Sequence, residues 1–263
     1  MQRLGKNLGG YFGETIDIVQ LISSTMNAAY RHGWHFQTIL DSHDRPLFAL
    51  TRPSDSPIAN IYISSGIHGD EPAGPMAVNQ ILEADELPKE FSYWLCPCLN
   101  PTGFPRNSRT NDAGIDLNRD YKHFRATEVV AHAKWLLDQP AFDACFCLHE
   151  DWESHGFYVY ELNPDNQPSL AEAMVRQVAK VCPIDVSPEI EGRPAEAGII
   201  RPNLNPLERP EWPEAFFLYH HKSRLGYTLE APSDFPLSTR VASLVAAMQA
   251  ALWTYRDHRL QNS

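Results

Sequence analysis

Long apolar runs are missing from this 263-residue sequence. No window approaches the roughly 18 uninterrupted apolar residues that a membrane-spanning helix needs. The opening stretch from Met1 to Gly10 also lacks the apolar core of a secretory signal. A cytoplasmic protein with no membrane partner is therefore expected. Positive charge is short as well. Lys and Arg number 22 against 33 Asp and Glu, for a formal net charge of −11. That balance argues against nucleic acid or an anionic membrane surface as the main partner. Internal repeats and low-complexity tracts are absent. So is the Cys-x-x-Cys spacing of redox and zinc motifs. The five cysteines include Cys96/Cys98 and Cys145/Cys147, each pair spaced by one residue inside an apolar run. That spacing places each pair on one face of a strand. They read as buried, reduced, small hydrophobes, and their odd number fits a reducing compartment.

What remains is ordinary globular material, with 43% hydrophobic and 21% charged residues. The length suits one large α/β domain, taken here as a single catalytic domain over residues 1–263. Periodicity predicts helices over residues 15–32, 73–83, 127–137, 169–181 and 237–255. Strands are predicted over 36–40, 47–51, 61–65, 91–99, 144–148, 157–161 and 225–229. Residues 41–46 read as a turn between the first two strands. The proline-rich stretch 183–215 reads as a long loop or flap. Strands alternating with helices point to a mostly parallel or mixed sheet with helices on both faces. Reacting groups in such folds gather on loops beyond the carboxyl ends of strands. His68, Glu71, His149 and Glu230 all fall just after strand-like runs.

The strand-like run Ile61-Tyr62-Ile63-Ser64-Ser65 ends at Gly66 and is followed by His68-Gly69-Asp70-Glu71. An imidazole and a carboxylate three residues apart can face one metal ion, although the same spacing also occurs on solvated turns. Zinc is the natural ion, because it takes nitrogen and oxygen ligands and keeps an open position in catalytic sites. His149 closes Cys145-Phe146-Cys147-Leu148 and offers the third ligand. Alone, it would read as a core histidine satisfied by hydrogen bonds. The other histidines have no such placement, and the pair His220-His221 reads as surface. Glu230 follows Tyr227-Thr228-Leu229. A carboxylate beside a zinc-activated water can take its proton and hand it to a leaving amine. Arg106, Arg109 and Arg119 lie close together on the loop from Asn100 to Arg119. Guanidinium groups near a metal suit recognition of a carboxylate and stabilisation of an oxyanion. Structural salt bridges are the alternative.

In their order along the chain these pieces resemble the zinc metallocarboxypeptidases of the M14 clan. The resemblance is carried by His68-Gly69-Asp70-Glu71, the Asn100-Pro101-x-Gly103 turn, and Arg109 with Gly114-Ile115-Asp116-Leu117-Asn118-Arg119. His149 after a strand and Thr228-Leu229-Glu230 complete it, over roughly residues 11–255. It implies a three-layer α/β/α domain around a mostly parallel, mixed eight-stranded sheet. It further implies one zinc ion on His68, Glu71 and His149, with Glu230 as general base and Arg109 beside the developing oxyanion. Asn118 and Arg119 would hold the substrate's terminal carboxylate. The partner implied is a peptide or amide with a free carboxylate.

Two points depart from the pattern. Many members carry a tyrosine on a mobile loop before the catalytic Glu, and within residues 190–220 Tyr219 is the candidate. Glu150-Asp151-Trp152-Glu153 is unusually acidic. It reads as solvated loop carboxylates, with a preference for a cationic group or a second metal ion as the alternatives. The nearest rival is the related succinylglutamate desuccinylase/aspartoacylase branch, whose enzymes remove an acyl group from an amino acid. Those enzymes generally add a β-rich domain after the catalytic Glu, and only one closing helix is expected after Glu230 here. A zinc-binding homologue without turnover would need neither Glu230 nor Arg109.

Overall fold

The computed structural model describes residues 2–7, 11, 13–42, 45–202 and 208–261. Ten strands are described: β1 (His35–Leu40), β2 (Leu47–Arg52), β3 (Ala59–Ser65), β4 (Phe91–Cys96), β5 (Ala144–Asp151), β6 (Tyr158–Leu162), β7 (Glu189–Ile190), β8 (Arg193–Pro194), β9 (Ile199–Ile200) and β10 (Gly226–Pro232). The helices are α1 (Ile18–Arg31), α2 (Ala73–Ala84), α3 (Thr127–Asp138), α4 (Ala171–Val178), α5 (Glu214–His221) and α6 (Leu237–Gln261). Eight strands form one mixed sheet in the order β1-β2-β4-β3-β5-β10-β6-β9, while β7 and β8 pair as a separate hairpin. The central block β4-β3-β5-β10 is parallel. The antiparallel pair β1–β2 extends it on one side and β6 on the other.

Burial explains why the central strands read as continuous apolar runs. Every residue of β5 is buried, as in a parallel strand covered on both faces. Alternate side chains serve two cores. Ile61, Ile63, Phe146, Leu148, Tyr227 and Leu229 pack with α1, α2, α4 and α6. Tyr62, Cys145 and Cys147 pack with α3 and α5 on the other face. All five cysteines are buried and free, although Cys98 lies just past the end of β4 rather than on it.

Local signals fix the ends of the elements. Asp17 caps α1 by accepting from the Gln20 N–H at 3.0 Å. The N–H of Asp85, at φ 50°, closes α2 on the Ile81 carbonyl. The turn predicted at 41–46 is described only at its ends, since His43 and Asp44 lie outside the described residues. Residues 203–207 of the proline-rich stretch do too. The rest of that stretch is not all loop, because it supplies the β7–β8 hairpin, strand β9 and the start of α5. His149 and Glu230 also correct the expectation drawn from the sequence. They lie inside β5 and β10, paired in register, rather than beyond the strand ends.

Candidate metal centre and substrate cleft

At the carboxyl end of β3 the chain turns sharply through Gly66, whose φ is 62°. A Cβ there would stand 2.9 Å from Pro75 and 3.3 Å from the Cys98 backbone, so only glycine fits without a shift. Gly69 has a second steric reason, because a Cβ would overlap the Gly103 backbone at 2.2 Å. The loop bearing His68 and Glu71 is thereby pressed against the turn that begins at Asn100. The Asn100 side chain organises that turn, accepting from the Gly103 N–H at 3.0 Å and donating to the Arg109 carbonyl at 3.3 Å.

His68, Glu71 and His149 are all buried, and one potential ligand atom from each lies within 4.8 Å of the others. The Glu71 carboxylate bridges the two imidazoles, facing His68 Nδ1 with Oε1 and His149 Nδ1 with Oε2, the latter at 2.9 Å. His68 Nε2 lies 3.3 Å from Asp116 Oδ1. An N–H donated to that carboxylate directs the Nδ1 lone pair at the cluster, the backing arrangement common to metal-bound histidines. Two imidazoles and a carboxylate converging in a buried space form a donor set that fits zinc. Among the described residues this is the one group with such spacing.

Electrostatics follow from that crowding. Burial works against the Glu71 charge, yet His68 and His149 outweigh it and hold the carboxyl well below its usual range. Burial and then Glu71, Asp151 and Glu191 push the Glu230 carboxyl well above its usual value. Burial also raises Asp151 to about 6.

One cleft of about 360 Å³ is lined by His68, Glu71, Arg109, Asn118, Arg119, His149 and Glu230. Arg109 donates from Nε to Asp116 Oδ2 at 2.9 Å and holds Nη1 3.7 Å from Glu71 Oε1. Asp116 Oδ1 also accepts from the Asn118 N–H at 2.9 Å. Asp116 therefore ties a candidate ligand, the arginine and the asparagine together. No role is expected of Asp116 from the sequence, although its place in Gly114-Ile115-Asp116-Leu117-Asn118-Arg119 is a usable signal.

Other expectations are corrected. Arg106 is exposed and does not line the cleft. Tyr219 sits on α5 outside the cleft, with its hydroxyl taken by Arg224 at 3.3 Å. The tyrosines lining the cleft among the described residues are Tyr11 and Tyr160. Glu150 is not a solvated loop carboxylate. It is buried within β5 and accepts from the Ala73 N–H at 2.5 Å and from Arg240 Nη1 at 2.6 Å. With its oxygens so engaged, it offers little to a second metal ion.

The model of the succinylglutamate desuccinylase/aspartoacylase catalytic domain matches residues 57–184, which include His68, Glu71, Asn118 and His149. A proposed metallopeptidase from Shewanella baltica OS155 superimposes with a TM-score of 0.77 at 25% identity, covering 90% of this chain and 92% of that one. The chain is thus similar to the succinylglutamate desuccinylase/aspartoacylase catalytic domain over that segment and to a metallopeptidase-like structure over most of its length. A second proposed metallopeptidase, from Shewanella amazonensis SB2B, matches equally well, with a TM-score of 0.77, 25% identity and 90% and 93% coverage. A metallo-carboxypeptidase from Burkholderia cenocepacia shares the fold at 20% identity, with a TM-score of 0.66 over 90% of this chain and 68% of that one. No curated protein sequence matches the chain. Among the described residues, no helix is long and apolar enough to cross a membrane.

Proposed function

We propose that this chain, as a single catalytic domain, is a zinc-dependent carboxypeptidase that cleaves the last amide bond of a substrate bearing a free carboxylate. The observation that carries this reading is the convergence of His68, Glu71 and His149 in one cleft with Glu230, Arg109, Asn118 and Arg119. A zinc ion held by the first three would lower the pKa of a water molecule and polarise the scissile carbonyl. Glu230, beside His149 on the neighbouring strand, takes the proton of the attacking water and returns it to the departing amine nitrogen. Burial and the neighbouring carboxylates raise its affinity for a proton. Arg109, held through Nε by Asp116 and lining the cleft, offers its remaining N–H groups to the oxygen on which negative charge grows. Asn118 and Arg119 take the substrate carboxylate, the guanidinium supplying charge and the amide supplying direction.

The family match favours a second reading, a deacylase acting on N-acyl amino acids. Both reactions break an amide bond next to a carboxylate-bearing residue, so the cluster serves either. Comparing kcat/KM on short N-blocked peptides with that on N-acetyl and N-succinyl amino acids tests the choice. Faster turnover of the peptides is expected. A preference for the acyl amino acids would replace the carboxypeptidase reading with the deacylase one.

A further inference from the structure

Glu214 is 1% exposed and does not itself line the cleft, although Pro213 and Ala215 on either side of it do. Its carboxylate accepts from Tyr62 Oη at 2.7 Å and from Ser64 Oγ at 2.9 Å, both on β3. Tyr62 Oη also lies 2.9 Å from His132 Nε2, and His132 Nδ1 lies 2.6 Å from Tyr121 Oη. No Lys or Arg forms an ion pair with Glu214 among the described residues. A buried carboxylate held by neutral donors alone is expensive to keep. Nothing in the hydrolytic chemistry above uses it.

Its position accounts for it. Glu214 is the first residue of α5, and the backbone N–H groups of a helix's first turn have no partner inside the helix. The Glu214 N–H donates to Asn118 Oδ1 at 2.9 Å. An amide whose oxygen accepts from a fixed backbone N–H is held in one orientation, which also sets where its –NH2 points. The Asn118 Nδ2 group donates to no protein acceptor among the described residues, and Asn118 lines the cleft. With its oxygen engaged by the Glu214 N–H, Asn118 keeps its –NH2 uncommitted, and a donor there favours an anionic oxygen over an ammonium.

We propose that Glu214 is a positioning residue for substrate recognition. Its carboxylate pins the first turn of α5 to β3, and the N–H of that turn fixes Asn118 as a donor for the substrate's carboxylate. This rests on the reading of Asn118 as a carboxylate-binding group.

The test uses the zinc-loaded protein carrying Glu230→Gln to prevent turnover, with N-acetyl-L-alanyl-L-alanine and its C-terminal amide as calorimetric probes. Adding Glu214→Ala should weaken the acid by about tenfold, the worth of one hydrogen bond to a charged group, and leave the amide nearly unchanged. Glu214→Gln, which can still accept from Tyr62, should restore most of the difference. A crystal structure of the Ala variant should show the Asn118 Oδ1 contact with the residue 214 N–H broken. General destabilisation would lower both affinities alike. Tyr62→Phe and Ser64→Ala remove the anchors singly and serve if the Ala variant does not fold. An intact Asn118 contact with unchanged acid affinity overturns the proposal. Equal affinity of the parent for acid and amide overturns the carboxylate role of Asn118 instead, and the anchor is then judged on the crystal contact alone.

Discussion

His149 and Glu230 are paired in register across the parallel ladder of β5 and β10, so both side chains project from the same face of the sheet. A candidate metal ligand and a candidate base are thus fixed relative to each other by backbone hydrogen bonds rather than by a loop.

Glu230→Gln keeps the shape of the side chain and removes the base. Hydrolysis should fall by about 10² to 10⁴, the usual worth of a positioned general base. Metal content, measured by atomic emission, should stay at one ion per chain. Surviving turnover would remove Glu230 from its role.

Asp116→Ala leaves His68 without the carboxylate that orients it. Metal affinity should drop by about 10- to 100-fold, as for other groups backing a metal-bound histidine. Competition against a chromophoric chelator reads this directly. Unchanged affinity would mean that His68 is held by the fold alone.

Arg109 and Arg119 should separate kinetically. Arg109→Ala should lower kcat by about 10² with KM little changed, as for the loss of a group that acts on developing charge. Arg119→Ala should mainly raise KM. Steady-state kinetics at verified metal content distinguishes the two, and an equal effect on both parameters in both variants would refute the assignment.

Burial pushes the Glu214 carboxyl from 4.5 up to about 7. Between those values the folded protein binds more protons than the unfolded chain, so this group's contribution to stability declines as pH rises. His132, pushed by burial down to about 3, works in the opposite sense, losing stability as pH falls below 6.5. Comparison with Glu214→Gln cancels the His132 contribution. The variant should gain about 3 kcal/mol on the parent between pH 4.5 and pH 7, read from urea unfolding at each pH. A difference that does not change with pH would show that Glu214 does not titrate there.

Arg240 and Glu150 form an ion pair almost wholly out of water, at 2.6 Å. Arg240→Leu would strand the Glu150 carboxylate and should cost about 3 to 5 kcal/mol. Adding Glu150→Leu should recover much of that loss. Denaturant unfolding of the two variants checks it, and additive losses would show that the pair is not coupled.

The legible parts of the sequence were those whose signal is local. The apolar runs of β3 and β5, and the histidines and glutamates near their ends, required only adjacent residues. At His149 and Glu230 the apolar pattern stops before the strand does, because a polar side chain facing a cleft interrupts the pattern while the backbone ladder continues. Glu150 reads as solvated in the sequence because its partner Arg240 lies 90 residues further along the chain. Glu214 carries no local signal for a similar reason, with its donor Ser64 150 residues away. Arg106 and Arg109 differ by three positions, yet the turn through Asn107, at φ 47°, sends only Arg109 toward the cleft.

The parallel block β4-β3-β5-β10 gathers the candidate reacting groups at one rim of the sheet. The opposite rim, where residues 53–58, 86–90 and 139–143 connect the elements, carries none of them. Of those segments, residues 53–57 are the most exposed, so affinity tags or fluorophores placed there should be tolerated and give engineers a handle far from the candidate chemistry.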